Sequence, residues 1–78
     1  MKIFVATYNH KYGTDVRAFR TSEGADKWRI EIANEEWRHV FRNKQKPDDK
    51  ERMSQVYWDY MSDYGDEYLT IYQCEIED

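Results

Sequence analysis

Apolar residues recur along this chain with two different periods. From Lys2 to Asn9 they alternate, with Ile3, Val5 and Thr7 on one side and Phe4, Ala6 and Tyr8 on the other, the period of a strand. Asp15 to Arg20 reads as a second strand, with Val16 and Ala18 opposite Arg17 and Phe19. Between them His10–Asp15 makes a loop in which Gly13 is free to take positive φ, so the two strands form a hairpin. The period then lengthens. Ala25, Trp28, Ile32, Ala33, Trp37 and Val40 follow helical spacing, and Thr21 or Ser22 can cap a helix running to about Arg42.

Pro47 disfavours helical geometry at Lys46, so that helix must end before a short linker, 43–47. Asp48 or Asp49 opens a second helix, whose face is Met53, Val56, Tyr57, Tyr60, Met61 and Tyr64, and Gly65 stops it. Glu67–Ile76 alternates again and predicts a third strand. The expected fold is one small α+β domain of order ββααβ. Two antiparallel helices, joined by a short connection, cover one face of a three-stranded sheet. The first strand, apolar on both sides, belongs in the centre. Alternating directions along the chain make the third strand parallel to the first if it pairs there. One helix pair covers one sheet face. The other must show either Phe4, Tyr8 and Phe19 or Ile3, Val5 and Val16, and an open apolar face suits a partner or a second copy.

Composition adds a polarity. Residues 48–78 hold ten acidic side chains against two basic ones, net −8. The first 47 hold ten basic against six acidic, net +4, so the 78-residue chain carries net −4. At 36% charged, the chain has a very polar surface, yet 17% aromatic content argues against disorder. The single cysteine, Cys74, forms no internal disulfide, and the opening residues turn polar too soon for a signal peptide; the reducing cytoplasm is the expected compartment. No apolar run is long enough to span a membrane.

The chemistry-bearing residues carry no catalytic or metal signature. His10, His39 and Cys74 lack the paired spacing of a zinc site, and nothing brings a histidine to Cys74 as a nucleophile would need. Asp63–Glu67 is too short for a calcium loop and reads as a helix-to-strand turn. Neither enzyme nor cofactor is expected. The carboxylates are the strongest signal: Asp48, Asp49, Glu51, Asp59, Asp63, Asp66 and Glu67, with Glu75, Glu77 and Asp78 beyond them. Their plain role is solubility; their sharper role is an electrostatic lure for a protein with a basic surface. Trp58, flanked by acids and set away from the apolar stripe, and Tyr12 in the hairpin loop are the candidate aromatic anchors. A nucleic-acid reading would use Arg17, Arg20, Arg29, Arg38, Arg42, Lys44 and Lys46, but the acidic balance argues against direct binding.

Size, charge and layout together resemble the small acidic proteins of phages and mobile elements, including anti-CRISPR and other anti-defence inhibitors. Thr7–Asp15 is also similar to a segment of prophage proteins. The resemblance implies a non-catalytic inhibitor that occupies the nucleic-acid site of a host nuclease or CRISPR effector subunit. It carries no residue roles with it.

Overall fold

The hairpin is tighter than the sequence suggests. In the computed structural model, which describes residues 1–77, β1 (Lys2–His10) pairs antiparallel with β2 (Gly13–Phe19), and Gly13 takes φ 135° opposite His10. That φ is open to glycine and strained for other residues. The α1 helix (Ser22–Val40) starts where Thr21 accepts a hydrogen bond from the Gly24 N–H at 3.1 Å. The α2 helix (Lys50–Tyr64) starts where Asp49 accepts from the Glu51 N–H at 3.0 Å. The β3 strand (Tyr68–Glu75) completes a sheet of order β2-β1-β3. The ββααβ order of a small α+β domain, with β1 central, is as the alternation implied.

Two expectations fail together. β3 runs antiparallel to β1, from Lys2 opposite Glu75 to Asn9 opposite Tyr68, where a parallel pairing was expected. The helices are not antiparallel either. Lys50 and Glu51 at the start of α2 share a cleft with Glu23, Asp26 and Lys27 near the start of α1. At the other end the Phe41 ring meets Tyr57 and Tyr60. The helices therefore run side by side in the same direction.

The reason lies in residues 41–49, which are a return path and not a turn. Trp37 Nε1 donates to the Lys44 carbonyl at 3.2 Å, and Lys46 Nζ donates to the Asn34 side chain at 2.7 Å. The segment thus tracks back down α1 as its own numbers rise. From Lys44 to Lys50 it can reach about 20 Å, ample for the ~15 Å of helix between Trp37 and Lys27. This extra reversal also turns β3 around.

Two core clusters share the space between helices and sheet. Ala33, Trp37, Met53, Tyr57 and Met61 pack between the helices. Ala6, Trp28 and Ile32 pack on the sheet, with Tyr8, Phe19, Leu69 and Ile71 around them. The helices therefore cover the Phe4–Ala6–Tyr8 side and leave Ile3, Val5 and Val16 facing outward. Ser54, fully buried beside this core, is small enough to keep the helices close, and its hydroxyl has no hydrogen-bond partner among the described residues.

Gly65 caps α2 with extended backbone, φ −101°, and its N–H donates to the Met61 carbonyl. A left-handed φ is not what selects glycine here. A Cβ at this position would overlap Met61 Sδ and sit 3.0 Å from the Met61 Cα. Met61 is buried and its backbone is helical, so neither can yield freely. Gly65→Ala is expected to cost about 1–3 kcal/mol, read as a lowered urea midpoint with an unchanged slope.

Candidate functional site

The carboxylates do not form one patch. Asp48, Asp49 and Glu51 sit at the start of α2, where anions complement the helix dipole. Because the helices run in parallel, Glu51 lines a cleft of about 310 Å³ with Glu23, Asp26 and Glu31 of α1, together with Lys27 and Lys50. Asp59, Asp63 and Asp66 are exposed at the far end, about 20 Å along the helix. Among the described residues no member of Asp48–Glu67 forms an ion pair, whereas Asp26 is held by Arg29 at 3.0 Å. Asp78 lies outside the described residues.

Glu67 is the exception within this set. Its side chain turns inward from the residue before β3, and its Oε1 accepts from two phenols, Tyr8 at 2.6 Å and Tyr57 at 3.3 Å. Tyr8 comes from β1 and Tyr57 from α2, so one carboxylate joins three elements. Burial raises both phenol pKa values well above the usual tyrosine range. For Tyr8 the hydrogen bond to Glu67 adds to this, then the negative charge of Glu67; for Tyr57 the charge contributes before the bond. Glu36 raises both further. The two phenols stay neutral donors, and they fix Glu67 Oε1 in place. No described residue donates to its Oε2.

Glu67 faces a cleft of about 400 Å³, shared with Tyr8, Lys11, Tyr12, Glu36, His39 and Val40. The β1–β2 tip forms one wall and the C-terminal part of α1 the other. The tip is ordered by its own bonds. The Tyr12 N–H donates to His10 Nδ1 at 3.3 Å, and His10 Nε2 lies 3.1 Å from Asp15. Tyr12 itself is 84% exposed, with the Lys11 ammonium 5.1 Å from its ring centre. The cleft thus combines two carboxylates, one of them pinned, with two phenol rings. The carboxylates suit an ammonium or guanidinium group by ion pairing; Lys11 lines the same cleft and already lies over the Tyr12 ring, so an entering cation takes its place there.

Of the two expected anchors, Tyr12 is placed for contact and Trp58 is not. Trp58 is half-buried, packed edge-on against Tyr57 and Tyr8, and its Nε1 donates to the Arg29 carbonyl at 3.2 Å. It lies about 80° from the centre of the stripe facing α1, which aims it at the sheet and not at solvent. The basic residues of the nucleic-acid reading are partly engaged. Arg17 lies over Trp28 at 4.7 Å, Lys44 over Phe41 at 5.2 Å, Arg29 pairs with Asp26 and Lys46 holds Asn34.

Sequence reasoning missed Glu36, Tyr8 and His39 as companions of Glu67. The available signal was that Tyr8 alternates onto the covered face at the end of β1. Placing Glu67 beside it required the β1–β3 register, which puts Leu69 opposite Tyr8. Among the described residues no group of three metal-ligating side chains comes together, and no helix is long and apolar enough to cross a membrane. No known protein family matches the chain, and no curated protein or solved structure is detectably similar to it.

Proposed function

We propose that this protein is a non-catalytic binding module for a protein with a basic surface. A lysine or arginine of the partner enters the cleft between the hairpin tip and α1. There it meets Glu67 and Glu36, with Tyr8 against its alkyl stem, and Lys11 swings aside from Tyr12 to admit it. Asp63 and Asp66, close in sequence to Glu67, extend the negative surface outside the cleft. The observation that carries this reading is the pinned carboxylate: two neutral phenols hold Glu67 so that its second oxygen needs no ordering on binding. The finer form of the proposal is an inhibitor that occupies the nucleic-acid site of a host defence nuclease, and the same chemistry supports it. A channel built for phosphates presents arginines and lysines to any rigid set of carboxylates.

The structural alternative is that Glu67 only staples β3 to β1 and α2. Capture from a bacterial lysate separates the two. A basic partner should be retained at about 50 mM salt and lost at about 500 mM, where charges are screened within a few ångströms. Asp63→Asn with Glu67→Gln should abolish retention while the melting temperature moves by only a few degrees, since glutamine still offers an acceptor to the phenols. Equal capture by this variant, or capture indifferent to salt, contradicts the proposal.

A further inference from the structure

The outward sheet face has an unusual distribution of charge. The register places eleven strand side chains on it: Ile3, Val5, Thr7 and Asn9 from the centre, with alternate residues of β2 and β3 on either side. None of the eleven is charged, in a chain that is 36% charged. The four charged strand residues, Lys2, Asp15, Arg17 and Glu75, all sit on the helix-covered side. A sheet with one wet face places its polar residues on that face. Here Thr7, Asn9, Thr14 and Thr70 lie on the outward face but no charged strand residue does, and Val16, Tyr68 and Tyr72 are 62%, 59% and 52% exposed.

The face also has a slope. Two of the three full cross-strand rows grow from β2 to β3. One row reads Ala18, Val5, Tyr72; the next reads Val16, Thr7, Thr70; the third reads Thr14, Asn9, Tyr68. Tyr68 and Tyr72 of β3 stand taller than Thr14 and Ala18 in the same rows of β2, whereas Val16 and Thr70 are of like size. A two-fold axis lying along β1 carries β3 of one copy over β2 of the other, row by row. Tyr72 of each copy then fills the space above the other copy's Ala18, and Tyr68 the space above Thr14. A two-fold axis across the strands would instead set β3 over β3 and β2 over β2, leaving a gap at β2.

The size is sufficient. Three strands ~4.8 Å apart and eight residues of ~3.3 Å give a footprint of about 370 Å², or on the order of 600 Å² of accessible surface once side-chain relief is counted. Two copies bury about 1,200 Å², the lower end for a specific interface. The absence of charge removes the like-charge repulsion that self-pairing of an acidic protein would otherwise meet, and it gives phosphates or a basic partner nothing to bind.

We infer that this face is a homodimer interface, with two copies packed sheet to sheet about a two-fold axis along β1 and the Glu67 clefts free on the outside. Dissociation is expected in the micromolar range. Sedimentation equilibrium should show a species of twice the 9.6 kDa chain mass, and Ala18→Glu, at an exposed edge position, should weaken it at least about tenfold by forcing a carboxylate into an apolar contact. Cross-linking tests the axis independently. In a Cys74→Ser background, a mixture of the Val16→Cys and Thr70→Cys single variants should be joined into mixed dimers by a bismaleimide linker of about 8 Å, which suits side chains facing each other across sheets packed ~10 Å apart. Each variant holds a single thiol, so no link can form within one chain. Val16→Cys alone should not cross-link. A monomer at every concentration up to about 1 mM, far above the micromolar range expected, overturns the inference. So does a dimer insensitive to Ala18→Glu, or cross-linking by Val16→Cys alone.

Discussion

Trp37→Ala is expected to leave the protein barely folded, losing about 3–5 kcal/mol. The indole is 3% exposed, sits at the centre of the inter-helix core and packs on Phe41 with ring centres 4.4 Å apart. Its Nε1 also holds the Lys44 carbonyl, the first fixed point of the return segment. A 78-residue domain has roughly 4–12 kcal/mol in total, so this one truncation removes a large part of it. Trp37→Phe separates packing from tethering. It keeps most of the ring contact and loses the hydrogen bond and part of the buried ring, about 2 kcal/mol together, which lowers the melting temperature of a domain this size by about 8–16 °C. Thermal unfolding followed by circular dichroism reads both. Equal losses for alanine and phenylalanine would mean that the tether, not the packing, dominates. A shift under about 1 kcal/mol for alanine would contradict the assigned core.

Alkaline pH should unfold the protein through Tyr8 and Tyr57. Both phenols have pKa values raised in the folded state, first by burial and then by Glu67. The unfolded chain ionises its tyrosines near pH 10. The folded protein therefore binds more protons above that pH, and stability falls as pH rises. The contribution is fully present below about pH 10 and is lost above it, at about 1.4 kcal/mol per pH unit for each phenol. Tyr57, fully buried, should approach that slope; Tyr8, half-buried and partly screened by solvent, should fall short of it. Urea midpoints between about pH 8 and pH 11.5 give the slope directly. Tyr57→Phe should be less stable than the parent at pH 8, where it has lost a hydrogen bond, yet decline more slowly above pH 10. Parallel curves for the two proteins would show that Tyr57 does not resist ionisation.

These effects meet at residues that the sequence exposes unequally. Helical spacing identified Trp37 and Tyr57 as core, because an amphipathic stripe is a local property of 3.6-residue periodicity. Strand alternation likewise split β1 into two faces, and its apolar character on both sides placed it in the centre. Spacing says nothing about direction between elements. Residues 41–49 read as a turn because they are polar and contain Pro47, and only the Trp37–Lys44 and Asn34–Lys46 bonds reveal a return path. The same limit explains Trp58. A stripe facing α1 suggested that everything off the stripe is wet, but α2 also has a flank against the sheet. Glu67 was legible as an acid and not as a buried acceptor, since its two phenols lie 59 and 10 residues away.

The cleft proposal is tested most directly by titrating the ¹⁵N-labelled protein with an oligo-arginine peptide at low salt and following backbone amide shifts. Saturable shifts are expected at Tyr8, Lys11, Tyr12, Glu36, His39 and Glu67, and Glu67→Gln should weaken the binding at least tenfold without altering the dispersion of the spectrum. Shifts spread over every acidic side chain, or an affinity unchanged by Glu67→Gln, would contradict a receptor built on the pinned carboxylate.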